Sequence, residues 1–496
     1  MFNPAKWSYR TLLIAGLGVY TVTAFASQGY YQSDEHFQIL EFADYKLGNT
    51  PAADLPWEFR QQIRPALQPT IAFGVIKGAR AVGLFSPFTQ AFLLRLISAV
   101  VAILVYARIS RRFAPDSADE SSGKLLLAAA ILLWFVPYLS VRFSSENWSG
   151  LAFLSGLSLL PLSGTDDRRP APRFGAAGLL LGLSFVFRFQ MGFAIAGGVA
   201  WLLLQRRTRW THAAVLVVGG LLALAIGMAA DHWFYGDFVV TQWRYFQSNV
   251  LQGKAAEFGV SPWWFYFPAF IMAAMPPISL VLLGLAGLGI YRKPRHVLTW
   301  AFIPFVLAHV LVGHKELRFL FPMLFPFLWL AATGWTEWSA RAVVGRMVTA
   351  GLRVCVAINL LALVFVSTRA RQQAVACWRF LYDDSRNRDV KLYAEGSSPY
   401  QVGILRPHFY RAPNLAVRVV PTLTELQDST RRQLQVGDLL LQRHLAAAPT
   451  IPGFRIERAF RAFPDWMLRY DVTRWEERTE IWTIYRIGAV ASNNAR

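Results

Sequence analysis

Four ionisable side chains stand within five residues at His314-Lys315-Glu316-Leu317-Arg318, between the apolar stretches 298–313 and 319–335. Such groups are costly at the edge of a hydrocarbon layer, and they persist there when they bind a ligand or each other. Two or three cations with an orienting carboxylate suit a lipid-borne phosphate or pyrophosphate, because arginine presents a fork of N–H donors to phosphate oxygens. A helical course would put His314 and Arg318 on one face. Interfacial snorkelling of Lys and Arg explains one cation, but not the whole group.

A second concentration, Asp34-Glu35-His36, closely follows an apolar segment at 11–27. Carboxylates at a membrane surface can act as general bases when burial raises their proton affinity. The competing reading is that Asp34 caps the helix behind it. Arg188, in Phe-Val-Phe-Arg-Phe-Gln190, and Arg95 sit among apolar neighbours, where pairing with a carboxylate or with backbone carbonyls is an alternative to ligand binding. Trp263, Trp264 and Tyr266 fit an interfacial aromatic belt, although aromatic faces also stack on sugars. The two cysteines, Cys355 and Cys377, support neither a metal site nor a disulfide framework, and no nucleotide-binding phosphate loop stands out.

These residues need a scaffold, and composition indicates which. Hydrophobic residues make up 54% of the 496, charged residues 16%, and mean hydropathy is +0.33. Soluble proteins carry roughly a quarter charged residues. Stretches long enough to cross a bilayer fall near 11–27, 88–108, 125–141, 149–163, 175–187, 191–204, 212–230, 268–290, 297–313, 319–335 and 349–368, about eleven in all. The first lacks a cleavage site and reads as a retained helix. The segment 69–85 reads as re-entrant or interfacial, since counting it as a span inverts every later loop.

With the N-terminus inside, the basic clusters at Lys6 and Arg10, Arg108 to Arg112, Arg168 to Arg173, Arg206 to Arg209, Arg292 to Arg295, and Arg341 and Arg346 all fall in the cytoplasm. That placement absorbs much of the +20 net charge, which would otherwise suggest nucleic acid. Only 8 of the 50 basic residues are Lys, an arginine bias that points to a GC-rich, bacterial genome. The opposite face receives the acidic loop 28–68, Arg142-Phe-Ser-Ser-Glu146, Arg188 with Gln190, the segment 231–261, the 314–318 group and the tail 369–496. In the acidic loop, Phe37, Leu40 and Leu47 recur at helical spacing, which predicts an amphipathic surface helix. The tail mixes 20 basic with 13 acidic residues and has strand-like runs such as 480–486, so it predicts a small folded domain.

Four blocks together resemble the family 22 glycosyltransferases, which have the GT-C fold. Asp34-Glu-His-Phe-Gln-Ile-Leu-Glu41 resembles the acidic first-loop motif. Leu55-Pro-Trp57-Glu58-Phe with Ile63-Arg64-Pro-Ala-Leu-Gln-Pro69 resembles the second block. Asp231-His-Trp-Phe-Tyr235-Gly236, with Asn249 and Pro262-Trp-Trp-Phe-Tyr266, resembles the third. His314-Lys-Glu-Leu-Arg-Phe-Leu-Phe-Pro322 resembles the His-Lys-Glu-x-Arg-Phe signature most closely. The likeness spans residues 11 to about 335, and Pro65 and Phe189 depart from the usual pattern.

The resemblance implies an all-α polytopic membrane protein of GT-C fold over 1–368, with a small α/β soluble domain over 369–496 on the outer face. It implies an inverting transfer of a sugar, most often mannose, from a polyprenyl-phosphate donor to a glycan or glycolipid acceptor. Asp34, backed by Glu35, would be the base. His314, Lys315, Glu316, Arg318, Arg188, Gln190, Arg64, Trp57, Glu58, Asp231 and Tyr235 would bind donor phosphate or substrate. No metal, cofactor or nucleic acid is expected, and the site would face the periplasm, or the endoplasmic reticulum lumen in a eukaryote. A transporter of lipid-linked sugars would also carry buried charges, but no internal repeat is visible and the polar groups lie at one face. An assembly module acting through the tail leaves the 314–318 group unexplained.

Overall fold

In a computed structural model the described residues are 7–114, 120–161, 171–205, 208–340, 345–372, 374–423, 426, 428–469 and 479–489. Of the basic residues expected in cytoplasmic loops, Lys6, Arg168, Arg169, Arg206, Arg207 and Arg341 lie outside them. Helix α1 (Tyr9–Ala26) leads into the acidic loop, which carries the short helices α2 (Ser33–Glu35), α3 (Glu41–Lys46) and α4 (Trp57–Gln61). Then come α5 (Leu67–Ala81), α6 (Pro87–Arg112), α7 (Glu120–Leu132), α8 (Phe135–Ser140) and α9 (Ser145–Leu159). They are followed by α10 (Ala171–Phe187), α11 (Met191–Leu204), α12 (Trp210–Tyr235) and α13 (Thr241–Phe246). The apolar part closes with α14 (Tyr266–Ala273), α15 (Ile278–Arg292), α16 (Val297–Leu311), α17 (Leu324–Ser339) and α18 (Arg346–Ser367).

Among the described residues, five helical runs are long and apolar enough to cross a membrane, namely α1, α6, α12, Leu317–Ser339 and α18, while α10, α11, α15 and α16 are apolar but shorter. Among the described residues each of the expected stretches contains helix, yet in three of them it is not continuous. The stretch 268–290 breaks between α14 and α15, where Pro276 and Pro277 supply no N–H donors. Residues 317–323 form a 3-10 turn ahead of α17. The stretch 125–141 breaks between α7 and α8, and a side chain of α18 completes the exposed backbone there. Asn359 donates from Nδ2 to the Leu132 carbonyl at 2.6 Å, and its Oδ1 accepts the Trp134 N–H at 3.0 Å. Apolar surroundings tolerate a broken helix only when such groups find partners.

Backbones also approach closely across helix pairs. A Cβ at Gly178 of α10 would lie 1.9 Å from the Leu216 carbonyl oxygen of α12, and one at Gly289 of α15 would lie 2.0 Å from that of Leu330 in α17. Small residues are what membrane helices use to pack at this range.

The tail folds as expected into a small mixed structure. Helix α19 (Ala374–Ser385) precedes β1 (Val390–Glu395), β2 (Leu415–Val420), β3 (Leu439–Gln442), β4 (Phe454–Arg461) and β5 (Thr483–Ala489). The sheet order is β2-β1-β3-β5-β4. Strand β1 runs parallel to β2 and β3, and β5 runs antiparallel to β3 and β4. Its inner face joins a cluster in which Leu392, Leu441 and Ile484 meet Trp378 of α19, Ile39 and Ala43 of the acidic loop, Ile76 of α5 and Leu94 of α6. The sheet therefore grips the loop that carries Asp34.

Replacing Asn359 with Leu keeps the apolar surface of α18 but strands one N–H and one C=O. We expect a lower thermal midpoint in detergent, equivalent to about 1–3 kcal/mol. An unchanged midpoint would show that the break is satisfied in some other way.

Candidate active site

The two sequence concentrations meet. Arg318 places Nη1 2.8 Å from Asp34 Oδ2, while its Nε and Nη2 hold the two oxygens of Glu316, each at 2.8 Å. The 314–316 segment is not helical, so His314 and Arg318 do not share a helix face. They meet instead on Glu316, with His314 Nε2 3.3 Å from its Oε1.

Asp34 does not cap. Its helix starts at Ser33, with Gln32 in the capping position, so the Asp34 carboxylate is free to face Arg318 and Arg64. Burial alone would raise this carboxyl, but the guanidiniums of Arg318 and Arg64 outweigh burial and hold it below the ordinary carboxylate range. The expected rise in proton affinity is thus reversed at Asp34. It is present at Glu35, where burial outweighs Arg142. Glu35 accepts the Tyr31 N–H at 2.9 Å and sits 3.6 Å from Arg142 Nη1, so it anchors the turn behind Asp34.

The other expected residues divide into those that face this pair and those that hold them. Arg64 Nη2 lies 3.5 Å from Asp34 and 3.4 Å from Glu58 Oε1, which also accepts from Gln38 at 3.0 Å. Asp231 accepts the Ala66 N–H at 2.6 Å and the Thr241 hydroxyl at 2.8 Å, and the Tyr235 hydroxyl donates to the Arg64 carbonyl at 2.7 Å. Asp231 and Tyr235 therefore fix the backbone that carries Arg64 and do not face the site directly. Lys315 is similarly occupied, because its ammonium caps the carbonyls of Ser261 and Val312. Arg188 pairs with Glu146 at 2.9 Å and lies over the Phe319 ring, as Arg318 does. Gln190 lines a cavity with Asp34, Arg64 and Arg188. Trp57 stacks with Phe258 and sits beneath the Lys254 ammonium, toward His314. Arg95, buried in α6, donates to the Ala24 carbonyl at 2.7 Å, the structural alternative expected for it.

Most carboxylates of the acidic loop are not available for chemistry. Glu41 is 2.8 Å from His36 Nε2 and accepts the Thr50 hydroxyl at 2.7 Å. It also accepts the backbone N–H groups of His408 and Phe409, at 2.8 and 3.0 Å. The His36 ring lies stacked between Tyr30 and Tyr410. Asp54 binds the His408 ring at 2.8 Å, and Asp44 takes Thr50 and Asn49.

Arg318 and Asp34 each line a small cavity, and a large apolar cavity lies beside them. A large apolar cavity of about 1710 Å³ is lined by Tyr266, Phe270, Phe302, Leu320 and Phe327 from the helices and by Trp466 from the sheet domain. Through Tyr31, Leu139 and Phe321 it adjoins a small cavity that the charged side chains of Glu35, Arg142 and Arg318 reach. Glu35, Ser144 and Glu146 link that cavity to the one at Asp34.

This arrangement can be set beside known proteins. A family model described as the Alg9-like mannosyltransferase family matches residues 11–414. The chain belongs to that family. The match reaches past residue 335, the end of the likeness read from the sequence, into the tail, so the His408 loop and β1 are part of the family unit. The chain is 25% identical to GPI mannosyltransferase 3 of Candida albicans over 68% of this chain and 65% of that one. It is 27% identical to GPI mannosyltransferase 3 of Drosophila melanogaster over 73% of this chain and 62% of that one. It thus spans less than two thirds of the length of these relatives. Among solved structures, ArnT from Cupriavidus metallidurans, bound to undecaprenyl phosphate, superposes with a TM-score of 0.53 at 12% identity, covering 98% of this chain and 99% of that one. That likeness concerns the fold, and it agrees with the expected GT-C architecture.

Sequence reasoning named Arg142 and Glu146 only as outer-loop residues and did not single out Gln38 or Tyr245, whose ring lies 5.2 Å from the Arg64 guanidinium. Glu146 and Gln38 have ordinary local contexts, and only their pairing with Arg188 and Glu58 marks them. The Glu41 docking contact gives a prediction with a defined sign. Burial would raise this carboxyl, but the His36 hydrogen bond and the Phe409 N–H outweigh it and hold it below its ordinary value. Its stabilising contribution is therefore full above the ordinary glutamate range and is lost as pH falls through the lower folded value. Glu41→Gln should raise hydrogen exchange at the His408 and Phe409 amides at neutral pH, and unchanged exchange would place the docking energy elsewhere.

Proposed function

We propose that this chain transfers mannose from a polyprenyl-phosphate donor to a hydroxyl of a glycan or glycolipid acceptor, with inversion, at the non-cytoplasmic face of a membrane. The observation that carries this reading is the Asp34–Arg318 pair, whose two residues line small cavities beside a large apolar one. The family supports the sugar. So does a Schizosaccharomyces pombe relative named as a probable Dol-P-Man:Man(7)GlcNAc(2)-PP-Dol alpha-1,6-mannosyltransferase, which is 26% identical over 219 residues.

In this scheme the prenyl tail lies in the apolar cavity and the phosphate reaches Arg318. The phosphate then competes with Asp34 for the guanidinium, and Asp34 is released as an ionised base. Asp34 accepts the acceptor's hydroxyl proton as that oxygen attacks the anomeric carbon. The bond from the anomeric carbon to the phosphate oxygen breaks, and its electron pair leaves with the polyprenyl phosphate. Arg318 stabilises the charge that builds there. Arg64, Arg188 and Gln190 border the space for the sugar and acceptor. Lys315 and His314 hold the 312–316 backbone that aims Arg318. On this reading eleven spans place the acidic loop and the sheet domain outside, in the periplasm or the lumen.

Asp34→Asn preserves shape and removes the proton acceptor, so turnover should fall by roughly 100-fold or more while donor binding survives. Because Arg318 and Arg64 keep Asp34 ionised, kcat/KM of the parent protein should show no acid limb from this group above about pH 5. Near-normal turnover of a well-folded Asp34→Asn protein would move the base to another residue. Orientation has a separate test. Single cysteines at Ala52 and Thr430, in a background lacking Cys355 and Cys377, should react with an impermeant maleimide in intact cells, and labelling only after permeabilisation would invert the topology.

A further inference from the structure

Arg142 follows α8 in a turn and is buried to 2% exposure. Its Nη1 donates to the Gly29 carbonyl at 2.9 Å. Its Nε and Nη2 have no hydrogen-bond partner among the described residues, although both are shielded from solvent. The guanidinium lies over the Tyr138 ring, 4.4 Å from its centroid, and the buried Tyr138 hydroxyl also lacks a partner there. Buried donors are normally satisfied, and a buried cation whose N–H groups point at nothing is poorly compensated for its lost hydration. Glu35, 3.6 Å away, is the nearby carboxylate, and it already accepts from Tyr31.

The location says what is missing. Arg142 and Arg318 line the same small cavity, and Tyr138 lines the large apolar one. Tyr31, Leu139 and Phe321 border both. A ligand that satisfies these donors must offer several acceptor oxygens and must carry an apolar chain back into the larger space. We propose that Arg142, with the Tyr138 hydroxyl, forms a second anion subsite that receives the phosphate of a polyprenyl phosphate beside Arg318. The proposal rests on the donor assigned above and adds residues to it. In the transfer, the phosphodiester with one negative charge becomes a phosphomonoester with up to two, since the electron pair of the broken bond stays on the phosphate oxygen. A second guanidinium matters most for that product, so Arg142 acts chiefly on the leaving group.

The test measures binding of undecaprenyl phosphate, undecaprenol and inorganic phosphate to the full-length protein in nanodiscs. Arg142→Ala should weaken undecaprenyl phosphate by about tenfold or more and leave undecaprenol unchanged, because only the phosphate meets the guanidinium. Arg142→Lys can still reach Gly29 but loses the fork, so it should fall between parent and Ala. It also decides the matter if the Ala protein does not fold. Affinity within about twofold of the parent in folded Arg142→Ala or Arg142→Lys protein would overturn the second subsite. If Arg318→Ala loses affinity in the same assay, the donor reading survives that result. A parent protein that binds undecaprenyl phosphate no better than undecaprenol would overturn the donor reading itself. Inorganic phosphate binding as tightly as the lipid phosphate would overturn the lipid assignment of the subsite.

Discussion

A guanidinium held where apolar helices meet polar loops must be matched by carboxylates, and the fold is organised to provide that match for Arg318. Glu316, two residues away, takes two of its nitrogens, and Asp34, from the other end of the membrane part, takes the third. Separating these charges would leave a desolvated cation or anion, a large penalty in such surroundings. A competing anion at the place of Asp34 keeps Arg318 matched, and Arg64, 3.5 Å away, remains to match the Asp34 carboxylate. On the proposed reading, the same pair holds the site together when empty and is opened by a phosphate.

Several layers of structure serve this pair without taking part in chemistry. Asp231 and Tyr235, at the end of α12, fix the backbone at Arg64 and Ala66. Glu41, Asp54 and His36 tie the acidic loop to the His408–Tyr410 segment of the tail. The sheet domain thus belongs to the machinery that sets Asp34. Farther away, glycines allow α10 to approach α12 and α15 to approach α17, so the frame beneath the loops is closely packed.

The membrane character, the helical class and the meeting of an acidic first loop with the 314–318 group were legible in the sequence. Each follows from local facts, because long apolar runs need a bilayer and clustered charge at their ends needs a partner or a ligand. The sheet in the tail was legible from strand-like aromatic runs. Of the broken helices, the one at Pro276 and Pro277 is marked in the sequence, and the one after Leu132 is not. The gap after Leu132 leaves no local mark, since its remedy is Asn359, more than two hundred residues away in the chain.

Within the site, residue type alone determined that Asp34 and Arg318 matter, because a carboxylate and a guanidinium at an apolar boundary have few inert roles. Tertiary structure alone decided which of the similar residues are free. Asp231, Glu41 and Asp54 are carboxylates of the same chemistry as Asp34, yet their oxygens are taken by protein N–H, hydroxyl or imidazole groups. Lys315, next in chain to the cations around it, caps two carbonyls, whereas Arg142, unremarkable in sequence, is left with donors unmatched among the described residues. Hydrogen bonding saturates. Whether a charged group can meet a ligand depends on which partners the fold has already brought to it, and those partners come from distant parts of the chain.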